Sequence, residues 1–295
     1  MYDERRRWGI GRIFLAAFFI ILLIASSFYA LTFFETFLTS TNGRSLISLD
    51  WAGYVVVSDY ANPQPKIVGV NASWTVPRVT PSQIDLFSAA WIGIGGQLDD
   101  TLIQTGTEHD SINGEATYSA WYELLPNDSI TITTMHVLPG DQIKASINLV
   151  DSASNTWSIE IRDVTNGQRF QNDFFYSSSQ LSAEWIIERP TINNVLSGLA
   201  DFGSATFTDA YATIDTAVGT IRSFPYSQVT MHSRQNNPLV TVSSLDSKGS
   251  GFTVDYLSSS TSALINPVQA LESVERSIQR GGYTKKLRNG EELVS

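Results

Sequence analysis

The chain has 295 residues, a net charge of −10 and no cysteine. Without a thiol there is no disulfide, no cysteine nucleophile and no cysteine metal site. An acidic body repels polyanions, so nucleic acid is not an expected partner.

The first twelve residues form a basic stub, with Arg5, Arg6, Arg7 and Arg12 against Asp3 and Glu4. Residues 13–34 then carry no charge. At about 1.5 Å per residue that run is long enough to cross a bilayer. The preceding arginines assign the N-terminus to the cytoplasmic side and the body to the outside. The expectation is a single-pass transmembrane anchor, with the domain on the extracellular face of the cell membrane. The alternative is a signal segment cleaved near Ala25-Ser26-Ser27, giving a secreted protein. The apolar run continues through Phe28, Tyr29, Phe33 and Phe34, which favours the anchor. Residues 35–50, rich in Ser, Thr, Asn and Gly, read as a linker.

Residues 51–262 have the pattern of an all-β domain. This leaves about 200 residues, enough for one domain with its own core. Runs of β-type residues fall at 68–76, 87–94, 102–108, 117–124, 130–137, 142–149 and 157–163. Further runs fall at 168–175, 182–188, 205–214, 228–231, 239–243 and 252–256. Turn chemistry punctuates them at Pro126-Asn127-Asp128, Pro139-Gly140-Asp141 and Asn166-Gly167. Many short strands with little helical periodicity predict an antiparallel β-sandwich. Asn71-Ala72-Ser73 and Asn127-Asp128-Ser129 are glycosylation sequons, the second in a turn. Over 263–295 the pattern changes. Pro267 and the apolar positions Val268, Leu271, Val274 and Ile278 predict a short amphipathic helix, followed by a charged tail.

Strand parity assigns faces. Gln104 shares a face with Glu108. Trp121 shares one with Glu123. Glu184 goes with Ile186 and Glu188, while Ala183, Trp185 and Ile187 point the other way. If these strands belong to one sheet, Gln104, Glu108, Trp121, Glu123 and Glu184 share a surface. A carboxylate can move a proton and an amide can donate to an oxyanion, two of the parts needed to add water to a carbonyl.

Five ordered motifs carry a resemblance. They are Trp91-Ile92-Gly93-Ile94-Gly95-Gly96, Leu102-Ile103-Gln104-Thr105-Gly106, Tyr118-Ser119-Ala120-Trp121-Tyr122-Glu123, Ala183-Glu184-Trp185-Ile186-Ile187-Glu188 and Ala200-Asp201-Phe202-Gly203-Ser204-Ala205-Thr206-Phe207-Thr208. Together they resemble the eqolisins, the glutamic peptidases typified by fungal acid proteases. The resemblance implies two curved antiparallel sheets, similar to the legume lectins (concanavalin A). It implies a catalytic dyad of Gln104 and Glu184 on the concave sheet. It also implies that Trp91, Glu108, Trp121 and Glu123 line the substrate groove, with Glu108 in place of an aspartate. Two positions depart from the pattern: Gly95 and Ser119 stand where Asp is usual. Both remove an acid near the dyad, so the expected activity optimum is less acidic than in the fungal enzymes.

The function expected is therefore an acid-acting endopeptidase on polypeptide substrates, needing no cofactor and no metal. His109, His136 and His232 are scattered, and no His-Glu-x-x-His motif is present. There is no Gly-x-Ser-x-Gly elbow. A catalytically inactive or carbohydrate-binding, lectin-like surface module is the alternative. A glycosidase using Glu108, Glu123 and Glu184 is a third reading. Gln104 separates these, because a glycosidase requires nothing of it.

Overall fold

The computed structural model describes residues 43–192 and 195–258, and the backbone of two short strands near the C-terminus. The expected membrane span at 13–34 and the expected helix from Pro267 lie outside the described residues. None of the described helices is long and apolar enough to cross a membrane.

The strands, in chain order, begin with β1 (Gly43–Ser48), β2 (Trp51–Val57), β3 (Ile67–Thr75), β4 (Ala89–Gly95), β5 (Leu102–Ile112) and β6 (Glu115–Leu124). Next come β7 (Ile130–Thr131), β8 (Gln142–Asp151), β9 (Thr156–Asp163), β10 (Arg169–Phe175) and β11 (Ser182–Glu188). After the two-residue strands β12 (Thr191–Ile192) and β13 (Val195–Leu196) follow β14 (Ser204–Ile214), β15 (Ala217–Thr220), β16 (Tyr226–Met231), β17 (Val240–Val242) and β18 (Phe252–Tyr256). Thr284–Lys286 and Glu292–Val294 pair as a short hairpin in the stretch expected to be a charged tail.

Two large sheets result. The first runs β1-β16-β2-β11-β4-β5-β6-β7, the second β10-β9-β8-β3-β14-β18-β17. Apart from the isolated parallel bridge of Phe87 with Leu199, all pairings among the described strands are antiparallel except β1 with β16, which is parallel. That pair also revises two expectations. Residues 43–48 of the expected linker form a sheet strand, and the sheet is not wholly antiparallel. The strand expected over 130–137 is only two residues long. Beyond it, the backbone is held by turn bonds such as Met135 N–H to Ile132 O.

The facing sides of the sheets bury Trp74, Trp157, Trp185, Ile92, Ile103, Ile143, Phe207 and Phe252. These are alternate strand residues whose neighbours point outward, as the pleat requires. β2, β4 and β11 differ, because almost every residue in them is buried. Their other face is covered too. Trp51, Val55, Trp91, Leu102, Trp121 and Ile186 form a second apolar cluster there. Strands buried on both faces lose the polar alternation of a solvated sheet, and β2 reads as Trp-Ala-Gly-Tyr-Val-Val-Val. Apolar burial is worth about 25 cal/mol per Å², so this second layer stiffens the floor on which the polar residues stand.

Candidate active site

On the covered face of the first sheet lies a trough of about 540 Å³. Its lining runs from β1 across the sheet to β6, and includes Gln104, Glu108, Trp121, Glu123 and Glu188. Of the residues expected on one surface from strand parity, Gln104, Glu108, Trp121 and Glu123 line it, whereas Glu184 is fully buried and is not part of the lining.

Register sets the central geometry. Glu184 on β11 is opposite Gly93 on β4, Gly93 is opposite Gln104 on β5, and Gln104 is opposite Glu123 on β6. One cross-sheet row thus holds a carboxylate, a gap, an amide and a second carboxylate. Two strand spacings separate the Cα atoms of Glu184 and Gln104, about 10 Å. The gap is specific to glycine. A Cβ at Gly93 would come within 2.8 Å of Leu102 Cδ1 and of the Trp91 ring. Glu184 and Gln104 are both buried, at 0% and 4% exposure.

The Gln104 amide nitrogen donates to the Glu123 carboxylate. Its Oε1 is buried and accepts no hydrogen bond. The Trp121 indole N–H, on the same floor, is likewise buried without an acceptor. Buried polar groups are usually satisfied. An open donor and an open acceptor on the floor of a trough suit a ligand with its own N–H and C=O groups, such as a peptide.

Trp91 departs from expectation. Its side chain is fully buried beneath the floor, not along the lining. It packs edge-on against Trp51, with ring centroids 5.0 Å apart. Its indole N–H donates to Glu188 Oε2 at 2.7 Å. Glu188 is a trough residue that the motif reading left without a role, although parity put it on the Glu184 face. Burial pushes its carboxyl up to about 8, helped by the charges of Asp50 and Glu123 and opposed by the indole bonds from Trp91 and Trp51.

Two more acids follow along β5. Glu108 accepts from the Ser119 hydroxyl at 2.9 Å. Burial raises its pKa and the serine bond opposes this. Asp110 is pushed up to about 7 by burial and by the Glu108 charge, while the Ser88 N–H holds it back. On the opposite side of the same strand, burial drives His109 down to about 3.

The two departures from the motif pattern have local reasons. Gly95 has φ +94°, and a Cβ there would sit 2.3 Å from the Thr101 carbonyl oxygen, so this backbone excludes Asp. Ser119 serves as the donor to Glu108. Neither change leaves the trough short of acids, since Glu108, Glu123, Glu188 and Asp50 all line it.

Other trough residues carried no motif. Arg44 and Asp50 sit in the stretch that read as a linker, and Tyr60 and Arg234 in loops. Only the pairing of β1 with β16 brings Arg44 to the trough.

Comparison with known proteins follows the same residues. The family model described as "Peptidase A4 family" matches residues 49–256. Aspergillopepsin-2 of Aspergillus niger is 28% identical over 235 residues, covering 71% of this chain and 78% of that protein. Scytalidopepsin B of Scytalidium lignicola is 29% identical over 151 residues, covering 49% of this chain and 53% of that protein. Among solved structures, scytalido-glutamic peptidase with a transition state analog inhibitor is similar at a TM-score of 0.60 and 22% identity, over 71% of this chain and 99% of that one. Aspergilloglutamic peptidase from Aspergillus niger is similar at a TM-score of 0.51 and 26% identity, over 58% and 99%.

Proposed function

Since the chain belongs to the Peptidase A4 family, the glutamic peptidases, we propose that it is an acid-acting endopeptidase whose dyad is Glu184 and Gln104. The observation that carries this reading is the row Glu184–Gly93–Gln104, in which two polar side chains flank a residue with none.

In this mechanism a peptide lies in the trough with the scissile carbonyl over Gly93. Glu184, as carboxylate, takes a proton from a water held between it and the carbonyl carbon. The water oxygen bonds to that carbon, and the carbonyl oxygen takes the displaced electron pair. The Gln104 amide donates to this oxyanion. Glu184 then passes the proton to the leaving amine as the C–N bond breaks, and no covalent enzyme intermediate forms. A positioned acid–base group is typically worth about 10²–10⁴-fold, and an oxyanion donor about 10²–10³-fold. Glu123 holds the amide that must make that donation. Trp121 and Glu108, along the lining, contact the bound chain.

The test is cleavage of casein or a peptide library between pH 2 and 6, with pepstatin and EDTA present. Cleavage that disappears in Glu184→Gln is the expected result. Turnover undiminished in that variant would mean that another group does the chemistry.

We extend the proposal to location. The uncharged run at 13–34 behind four arginines supports a domain held on the outer face of the membrane, or released after cleavage. Protease protection in intact cells, with the N-terminus tagged, checks this. A tag and domain on the same side would refute the anchored form.

A further inference from the structure

Strand β1 lies outside the stretch that matches the family model, which begins at residue 49. It nevertheless adds a strand to the trough-bearing sheet, pairing with β16 from Gly43↔Tyr226 to Ser48↔Met231. Through it Arg44, Leu46 and Ser48 join the lining. Arg44 falls in the row of the dyad: it is opposite Ser227, which is opposite Val55, which is opposite Glu184. Three strand spacings separate Arg44 from Glu184, about 14 Å.

The side chain is held in a particular way. The guanidinium carbon sits 3.8 Å from the centroid of the Tyr60 ring. Tyr60 is itself tied by its hydroxyl to Ser227 Oγ at 2.5 Å. Stacking occupies the flat face of the cation and leaves the N–H fork at its edge. Among the described residues Arg44 meets the Tyr60 ring and no carboxylate. A stacked, half-buried arginine opening on a trough is prepared for bidentate binding of a carboxylate. At the other end of the same row stands Glu123, which repels one. The trough is therefore electrically polar along the row.

We propose that Arg44 is a specificity-determining residue, binding a carboxylate of the peptide about five or six residues from the bond over Gly93. Four strand spacings, about 19 Å, separate Arg44 from Gly93, and an extended chain advances about 3.3–3.6 Å per residue, so five or six residues cover the distance. The carboxylate is supplied by an Asp or Glu side chain or by a free C-terminus. Glu123 excludes the reversed placement, so Arg44 also orients the substrate. The inference uses the peptidase reading only to name the ligand; carboxylate recognition does not require cleavage.

Three pairs of fluorescent peptides test it. Two pairs carry Asp or Asn at both the fifth and sixth residues on one or the other side of the cleavable bond, and the third ends at the sixth in an acid or an amide. Binding to the full-length Glu184→Gln protein is read by anisotropy, and cleavage by the wild type is followed in parallel. We expect one carboxylate-bearing peptide to bind about tenfold better than its neutral twin, as for a charge-assisted hydrogen bond. The difference appears in KM, and the pair that shows it identifies the source. Arg44→Gln erases the preference and Arg44→Lys keeps part of it. The preference also weakens with salt, and below about pH 3.9 as the substrate acid protonates. Equal binding within all three pairs, or a preference that survives Arg44→Gln, overturns the proposal. A binding preference without any cleavage would uphold Arg44 and sink the peptidase reading. Cleavage without preference would do the reverse.

Discussion

Glu184 and Gln104 are never neighbours in the sheet, yet both are register partners of the same residue, Gly93 on the strand between them. A glycine there leaves the space over β4 to whatever the two side chains hold. Any larger residue would separate the proposed dyad by its own bulk.

Replacing Glu184 by Gln keeps volume and removes the base. Activity on a peptide substrate should fall by at least about 10²-fold, while the melting temperature shows the domain still folded. Gln104→Glu should cost about 10²-fold or more, because a carboxylate repels the oxyanion it replaces a donor for. Single-turnover kinetics on both variants, beside thermal melts, check this.

Gly93→Ala adds one methyl group against Leu102 and Trp91. Overpacking of this kind typically costs about 1–3 kcal/mol, which a domain of this size survives. Activity should fall well beyond what the loss of stability explains, because the methyl occupies the gap in the row. A variant that is less stable but fully active would show that the carbonyl binds elsewhere.

Glu123 accepts from the Gln104 amide, and under the proposed mechanism it acts through it. Glu123→Ala frees that amide, and misplacement of a catalytic group by about 1 Å can cost up to about 10²-fold. The loss should fall on kcat more than on KM. Glu123→Gln, which still offers an acceptor, should recover much of it. A loss confined to KM would make Glu123 a substrate contact instead.

Stability should depend on pH in two opposed ways. Folded Glu188 and Asp110 keep protons up to about 8 and about 7, whereas their ordinary values are 4.5 and 3.8. Between those limits the folded state binds more protons than the unfolded chain, so stability is full at low pH and lost as pH rises. Folded His109 refuses a proton down to about 3, against an ordinary 6.5. There the unfolded chain binds more protons, and stability is lost as pH falls from 6.5 towards 3. Two carboxyls outweigh one imidazole in the shared window, so melting temperature should peak at about pH 4–5. Glu188→Gln should flatten the alkaline fall and His109→Gln the acid one. Melting curves from pH 2.5 to 8.5 decide, and a profile unchanged in both variants refutes the assignment.

Much of the scaffold is local information. β11 and β18 begin and end where alternation and turn residues put them, at 182–188 and 252–256. Gln104 and Glu184 stood out because each is a polar residue inside an apolar strand, and parity gave each its face. β1 was hidden for the opposite reason. Gly-Arg-Ser-Leu-Ile-Ser has the composition of a linker, and only pairing with β16, some 180 residues onward, makes it a strand. β2 was not among the expected runs, although the domain was expected to begin at residue 51, since burial on both faces removes the alternation that marks a strand.

Alternation of side chains repeats every two residues, so the chain order alone established which face each acid and amide must occupy. Register couples residues far apart in the chain and leaves no periodic trace. It was therefore the assembled sheet that set Glu184 and Gln104 astride Gly93, sank Trp91 beneath Glu188, and carried Arg44 to the end of their row. Face follows from the geometry of a single strand; neighbours across a sheet follow from the packing free energy of the whole domain, which no short stretch contains.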